Sequence, residues 1–281
     1  LYFLKNRNLL SIGHAFIELG SVDSTNNYAM ARAAAGSARH GTLYFAHDQW
    51  AGKGQRGRTW SSKPGENIIL SAVLEPVALV SSQAFALSAC VALACHDLFS
   101  RYAGSEATRI KWPNDLYWGD RKAGGILIEN SFRGDRWAFA VAGIGININQ
   151  TDFSALSDLR PEGTARNPVS LRQITRQSYD VVQLARELGT CLDRRYRALE
   201  EAAGGGNSVD EVSAGEVPAG GISGLLAQYN DRLYRLGQEV RLRKDNAVFD
   251  TVISGVSPQG HLLTRDVLER EFYFGEVEWI I

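Results

Sequence analysis

The run Gly52-Lys53-Gly54-Gln55-Arg56-Gly57 limits what this chain can fold into more than any other segment. It has GxGxxG spacing, follows a strand-like alternation at residues 41–47, and has Glu75 downstream, as in a dinucleotide-binding βαβ unit. That unit requires a helix to open on the third glycine. Here Arg58-Thr59-Trp60-Ser61-Ser62-Lys63-Pro64-Gly65-Glu66 intervenes, with a proline and another glycine, before a second apolar run of strand length at 67–74. The glycines therefore join strand to strand. A protein-kinase glycine loop does the same, but the chain has no VAIK lysine, HRD loop or DFG triplet to accompany it. What remains is chemistry: glycines expose backbone N–H groups to an anion, and Lys53, Arg56 and Arg58 offer positive charge to phosphate oxygens. A basic surface turn would carry the same residues.

Around this loop the pattern is that of an α+β protein. Asp23-Ser24-Thr25 supplies an N-cap for a short alanine-rich helix over 26–35 that stops at Gly36. Residues 81–103 have helical apolar spacing with small residues suited to packing on a sheet. From Thr108 the chain reads as a meander of strands, with turns at Pro113-Asn114-Asp115, Gly119-Asp120 and Gly134, ending in a strand over 137–148. Asp180 caps a second long amphipathic helix through Glu201. Residues 203–221 are glycine-rich and read as a flexible loop or linker. A last helix over 222–236 and short alternating strands to the C-terminus follow. The expected organisation is a catalytic domain over 1–202, the linker, and a small β domain over 222–281.

Composition excludes several classes. Of 281 residues, 44% are hydrophobic and 22% charged, which is globular rather than disordered, and the net charge of -1 gives no field for a nucleic acid. Cys90, Cys95 and Cys191 form neither a CxxC pair nor a disulfide framework, so a reducing compartment, the cytoplasm, is expected. His14, His40, His47, His96 and His261 have no ligand spacing, so no protein-held metal is expected. No apolar run approaches the roughly 18 residues of a membrane span, and the first 20 residues lack a leader's cleavage site.

A second chemical segment lies at Lys111-Trp112-Pro113-Asn114-Asp115, closely followed by Asp120-Arg121-Lys122-Ala123-Gly124-Gly125-Ile126. Side chains alternating along strands let Lys122 reach a phosphate while Asn114 and Asp115 fix polar partners or a hydrated Mg²⁺. The competing reading is a hairpin turn whose Asn and Asp bond their own backbone.

In order along the chain, Asp23-Ser24-Thr25-Asn26, residues 49–60, residues 111–129 and Gly143-Ile144-Gly145-Ile146-Asn147 resemble the biotin protein ligases. The resemblance covers about residues 20 to 150. It implies a mixed sheet flanked by helices, related to the class II aminoacyl-tRNA synthetases, with a small SH3-like β-barrel at the C-terminus. It also implies a two-step reaction: ATP and Mg²⁺ convert biotin to biotinyl-5'-AMP, which is passed to a lysine of a biotin carboxyl carrier domain of a carboxylase. By the same resemblance Ser24, Thr25, Asn26 and Gln49 meet the biotin head, and Gly52, Lys53, Gly54 and Gln55 wrap its carboxylate. Lys53, Arg56, Arg58, Asn114, Lys122 and Asn147 face the nucleotide, with Trp60 against adenine. Lys122, which also contacts biotin, is the expected catalytic lysine, aided by Lys53, Arg58 and Asp115. Each role has matching chemistry, since hydroxyls and an amide suit a ureido ring and an indole face suits a purine.

The nearest alternatives are a lipoate ligase of the same superfamily and a biotin-binding regulator without turnover. Gln55 stands where many members carry arginine, which removes a bidentate phosphate contact, and Lys53 replaces another arginine by a point charge. Members that double as repressors carry a helix-turn-helix ahead of the Asp-Ser-Thr segment. With 22 residues before Asp23, a single-function ligase without DNA binding is expected. A homodimer remains open.

Overall fold

The computed structural model describes residues 10–134, 136–154, 168–204 and 221–280. A seven-stranded mixed sheet runs in the order β1-β2-β3-β7-β6-β5-β4. Its strands are β1 (Ala15–Val22), β2 (Thr42–Gln49), β3 (Asn67–Leu74), β4 (Thr108–Lys111), β5 (Asp115–Trp118), β6 (Arg121–Arg133) and β7 (Arg136–Asn147). β1 pairs parallel with β2 through helix α1 (Thr25–Ala34), and the other pairs are antiparallel. The sequence assigned no strand ahead of α1, so this βαβ unit is new, whereas the meander expected from Thr108 onward is present as the antiparallel run β4 to β7. β1 is an edge strand with much of its surface in water, so it lacks the apolar alternation that marks a buried strand.

The period of two in the strands sorts side chains between two layers. Leu43, Phe45, Leu70, Ala72, Leu74, Ala142, Ile144 and Ile146 face helices α2 (Ala84–Ala103) and α4 (Val181–Ala203) in the main core. Tyr44, Val73, Phe139 and Val141 face the other way, onto Ala29 of α1. α2 with its leading turn, Ser81–Ala103, is long and apolar enough to cross a membrane by length and composition, contrary to the sequence expectation. Here it is a core helix, mostly buried between the sheet and α4. Cys90, Cys95 and Cys191 are buried free thiols. A short helix, α3 (Leu171–Thr175), capped by Ser170 and Gln173, was not legible from sequence.

Asp97 of α2 ties the helical layer together. Its carboxylate accepts from Arg195 Nε at 2.7 Å, Arg195 Nη2 at 2.8 Å and Arg194 Nη2 at 2.9 Å. Arg195 Nη1 also donates to Gln228 on α5 (Gly221–Asp231) at 2.6 Å. α5 ends five residues earlier than its sequence pattern suggests, because Leu233 bridges to Ile110 at the sheet edge. The glycine-rich linker expected between α4 and α5 lies, for residues 205–220, outside the described residues.

The C-terminal strands β8 (Glu239–Lys244), β9 (Ala247–Val256), β10 (Leu262–Arg265), β11 (Glu269–Phe272) and β12 (Glu278–Ile280) form an antiparallel sheet ordered β11-β10-β9-β8-β12, consistent with an SH3-like domain. It meets the large sheet at the Lys111–Asp115 turn. Trp112 Nε1 donates to the Gly260 carbonyl at 2.8 Å, and Tyr229 of α5 holds the same turn, its Oη donating to the Pro113 carbonyl at 3.0 Å.

Candidate functional site

The site is built on a strip of sheet that carries no side chains. Gly143 and Gly145 on β7 and Gly125 on β6 point to the face opposite α2 and α4, and the register pairs Gly125 with both Gly145 and Asp115. A Cβ on Gly143 would overlap the Asn26 amide, and one on Gly145 would overlap the Trp60 indole. Gly125 lies under the Lys122 ammonium and the Asp115 carboxylate, each 3.4 Å from where its Cβ would be. Absence of side chains lets Asn26, Trp60 and the Lys122–Asp115 pair lie flat on the backbone, one beside the next.

At one end of this floor, the start of α1 gathers polar groups. Ser24 caps α1 and is buried. Thr25 donates from both its N–H (2.8 Å) and its hydroxyl (3.3 Å) to Gln49 Oε1. Ser71, the inward residue of β3 opposite Gly143, donates towards Thr25 Oγ1 at 2.8 Å and Asn26 Oδ1 at 2.6 Å. Asn26 Nδ2 donates to Glu129 at 2.9 Å. These hydroxyls and amides are locked by one another, so the surface they present is preorganised.

The glycine loop closes over the middle. Gly54 N–H donates to the Arg58 carbonyl at 2.6 Å, Trp60 N–H to the Gly52 carbonyl at 2.9 Å, and Lys53 bridges to Thr59, which makes a short hairpin stem. Gly52 has no room for a Cβ against the Trp60 carbonyl and the Gln49 amide. Beneath the loop is an open cavity of about 620 Å³ lined by Trp50, Gly52, Lys53, Gly54, Arg58, Leu127 and Glu129, among others. That volume lies in the range of small-molecule sites. Lys53 sits 3.7 Å from Glu129. The Trp60 Nε1 is buried with no acceptor.

At the other end, Lys122 Nζ lies 2.6 Å from Asp115 Oδ1 and 5.9 Å from the Trp60 ring centre. Asn114 spends its amide N–H on the Ile126 carbonyl, which pins the turn. Asn147 donates to the carbonyls of Val169 (3.2 Å) and Lys122 (3.5 Å), and so braces the backbone that carries Lys122. Of the residues expected from sequence, Arg56 stands apart: its guanidinium donates to the Gly275 carbonyl of the C-terminal sheet at 3.1 Å.

Sequence reasoning gave no role to Ser71, Glu129 or Lys111. Lys111 opens the Lys-Trp-Pro-Asn-Asp segment, a signal that was present but unused. Its ammonium is 5.0 Å from the Tyr117 ring centre and 5.1 Å from that of Trp279 on β12, and donates to Tyr117 Oη at 3.3 Å. Burial, with the like charges of Lys122 and Arg58 beside it, outweighs the pull of Asp115 and pushes Lys111 down to about 8. Ser71 and Glu129 are ordinary strand residues in sequence, and only the register places them beside Asn26.

A locked polar pocket, a glycine floor with an indole on it, and a cluster of lysines with one carboxylate can bind a neutral polar head, a flat ring and an anion in a row. The family model of the biotin/lipoate A/B protein ligases matches residues 19–147, the stretch that forms this site. The bifunctional ligase/repressor BirA of Bacillus spizizenii is 30% identical over 86% of this chain and 67% of its own length. The biotin--[acetyl-CoA-carboxylase] ligase of Paracoccus denitrificans is 29% identical over 90% of this chain and 95% of its own. Among solved structures, the Aquifex aeolicus biotin protein ligase in complex with biotin and ATP has the same fold, with a TM-score of 0.70, 22% identity and coverage of 95% of this chain and 98% of that one. The chain belongs to the biotin/lipoate A/B protein ligase family. The Paracoccus and Aquifex proteins are biotin ligases by name, while the chain spans only 38% to 67% of the bifunctional ligase/repressors it matches.

Proposed function

We propose that the protein is a biotin--[biotin carboxyl-carrier protein] ligase, which forms biotinyl-5'-AMP from biotin and ATP and transfers biotin to a lysine of a carrier domain. The observation that carries this reading is the row formed on the glycine floor by the Asn26 pocket, the Trp60 indole and the Lys122–Asp115 pair. A carboxylate attacking the α-phosphate and the departing pyrophosphate both gather negative charge. Lys122 and Lys53, each oriented by a carboxylate, and the exposed Arg58 supply positive charge to meet it.

The Ser24, Thr25, Asn26 and Gln49 cluster suits a ureido ring, which donates and accepts hydrogen bonds without charge. The backbone N–H groups of Gly52 to Gly57 and the positive charges of Lys53 and Arg58 suit a carboxylate and then a phosphate. Trp60 suits adenine. Asp115 and the Asn114 carbonyl oxygen are hard oxygen donors, which fit a Mg²⁺ carried in on the nucleotide. Among the described residues no cluster of three histidines, cysteines or acids is placed to hold an ion by itself. In the second step, a neutral lysine amine attacks the acyl carbonyl of the mixed anhydride, AMP leaves with the bonding pair, and the amine's proton passes to solvent. Gln55 gives this loop one guanidinium fewer to hold the intermediate than many relatives have.

The decisive experiment is pyrophosphate exchange. Protein with ATP, Mg²⁺ and biotin should pass labelled pyrophosphate into ATP, and then label a carrier-domain lysine. Exchange with lipoate but not with biotin points to the lipoate ligase, and binding without exchange to a regulator. The relatives' names favour biotin over lipoate. A reducing, cytoplasmic setting suits three buried free thiols.

Lys111 adds a pH signature to the first step. It pairs across the strands with Asp115, the partner of Lys122, and it attracts phosphate oxygens only while protonated. Because its pKa in the free protein is about 8, the KM for ATP should stay level below that pH and rise as pH passes above it. The Lys111→Arg variant, charged throughout, should lose this inflection. A wild-type KM that is flat from pH 7 to pH 9 would remove Lys111 from nucleotide binding.

A further inference from the structure

The tip of the glycine loop, Gln55–Gly57, has no buried residue and stands on a narrow hairpin stem. Among the described residues, the side chains of Gln55 and Arg58 make no hydrogen bond, whereas Arg56 reaches across to the other sheet. Arg56 also adopts a left-handed backbone, with φ of 56°, which costs a side-chain-bearing residue free energy that a glycine would not lose. A glycine is the ordinary solution at such a position. An arginine there needs an interaction made by its side chain, and the bond from Nη1 to the Gly275 carbonyl at 3.1 Å supplies one.

The receiving side is built to match. Gly275 has φ of 87°, and a Cβ there would come within 3.1 Å of the Arg56 guanidinium carbon, so a bare backbone lets the arginine lie down. The turn that presents this carbonyl is closed by Tyr273 N–H donating to Glu276 Oε2 at 2.9 Å and Glu276 N–H to the Tyr273 carbonyl at 3.1 Å. Lys244 on β8 holds Glu276 at 3.3 Å. One residue earlier, the Phe274 ring packs 6.1 Å from that of Trp112, in the segment that positions Asn114 and Asp115. A single turn of the C-terminal sheet thus touches both halves of the site.

We propose that Arg56 is a positioning residue that latches the loop tip to the Gly275 turn, and that this latch sets how long the acyl-adenylate stays bound before an acceptor lysine reaches it. The part concerning the adenylate rests on the reading of the protein as an adenylate-forming ligase. The latch itself does not. The C-terminal sheet then acts as the fixed post for a loop that must close to retain an activated acyl group and open to admit an amine.

The test uses the full chain as wild type, Arg56→Ala, Gly275→Ala and the double variant. Amide hydrogen exchange at residues 54–58 is measured without ligand, and release of preformed biotinyl-adenylate is followed by rapid separation. Losing a hydrogen bond to a charged group should speed both by about tenfold in either single variant. The double variant should be no faster than the singles, because both remove one contact. The KM for ATP in pyrophosphate exchange should stay within about twofold of wild type, since the latch is not a phosphate ligand. Unchanged amide exchange at the tip, additive effects, or a raised KM for ATP with unaltered release would each overturn the latch, the last by making Arg56 a phosphate contact. If wild type forms no adenylate, the ligase reading fails and the adenylate role with it, while the amide-exchange comparison still decides whether the latch exists.

Discussion

Replacing Lys122 by alanine should lower biotin-dependent pyrophosphate exchange by about 10³-fold, the scale seen when one preorganised charge-stabilising donor is removed. The loss should fall on kcat, because the lysine meets charge that develops during attack on phosphorus rather than charge already present in the bound substrates. The fold should barely notice. Lys122 and Asp115 are both partly in water, at 34% and 25% exposure, so their ion pair contributes on the order of 1 kcal/mol or less. The measurement is therefore exchange rate against thermal midpoint in the same preparation. A variant that keeps its midpoint and retains more than about a tenth of the wild-type rate would disqualify Lys122 as the principal stabiliser.

Asp97→Ala should show the opposite profile, destabilising the protein by roughly 3–5 kcal/mol while leaving the chemistry of the surviving folded fraction unaltered. Its arginine partner has a side chain only 9% exposed and lies between α2, α4 and α5, so deleting the carboxylate strands a buried guanidinium. Urea unfolding reads the difference directly. The pair also sets an acid limit. Burial alone would raise the Asp97 carboxyl, but the hydrogen bonds and charges of Arg195 and Arg194 overcome it and hold the group below the usual carboxylate range. A carboxyl with a depressed folded pKa contributes stability that is complete above its unfolded value and is lost as pH falls through the folded value. Wild type should thus lose this increment below about pH 4, and Asp97→Ala should show a flatter acid limb. An unchanged limb would mean that other carboxylates govern acid unfolding.

Much of the site was legible because its chemistry is local in sequence. The N-cap at Ser24, the basic glycine loop and the Lys-Trp-Pro-Asn-Asp turn each announce themselves within a few residues, and the strand following Pro64 excludes the dinucleotide fold. The glycines of β7 were visible as a motif, yet their purpose was not. That purpose depends on cross-strand register, which puts Gly143 beside Ser71 and Gly145 beside Gly125. Glu129 and Ser71 were missed for the same reason, and the turn of Arg56 towards Gly275 was not legible, because charge and position in a loop do not say where a long side chain points.

The sequence by itself determined the class of elements, the segments that bear chemistry and the likeness to one ligase family, since those follow from periodicity, capping and residue type over short distances. Tertiary structure alone decided the parallel edge strand β1, the side-chain-free floor, the depressed pKa of Lys111 under Trp279, and the tie from Arg56 to Gly275. Each of these depends on residues far apart in the chain meeting across a sheet or between sheets. Register and desolvation belong to the packed molecule and are absent from any short window of sequence.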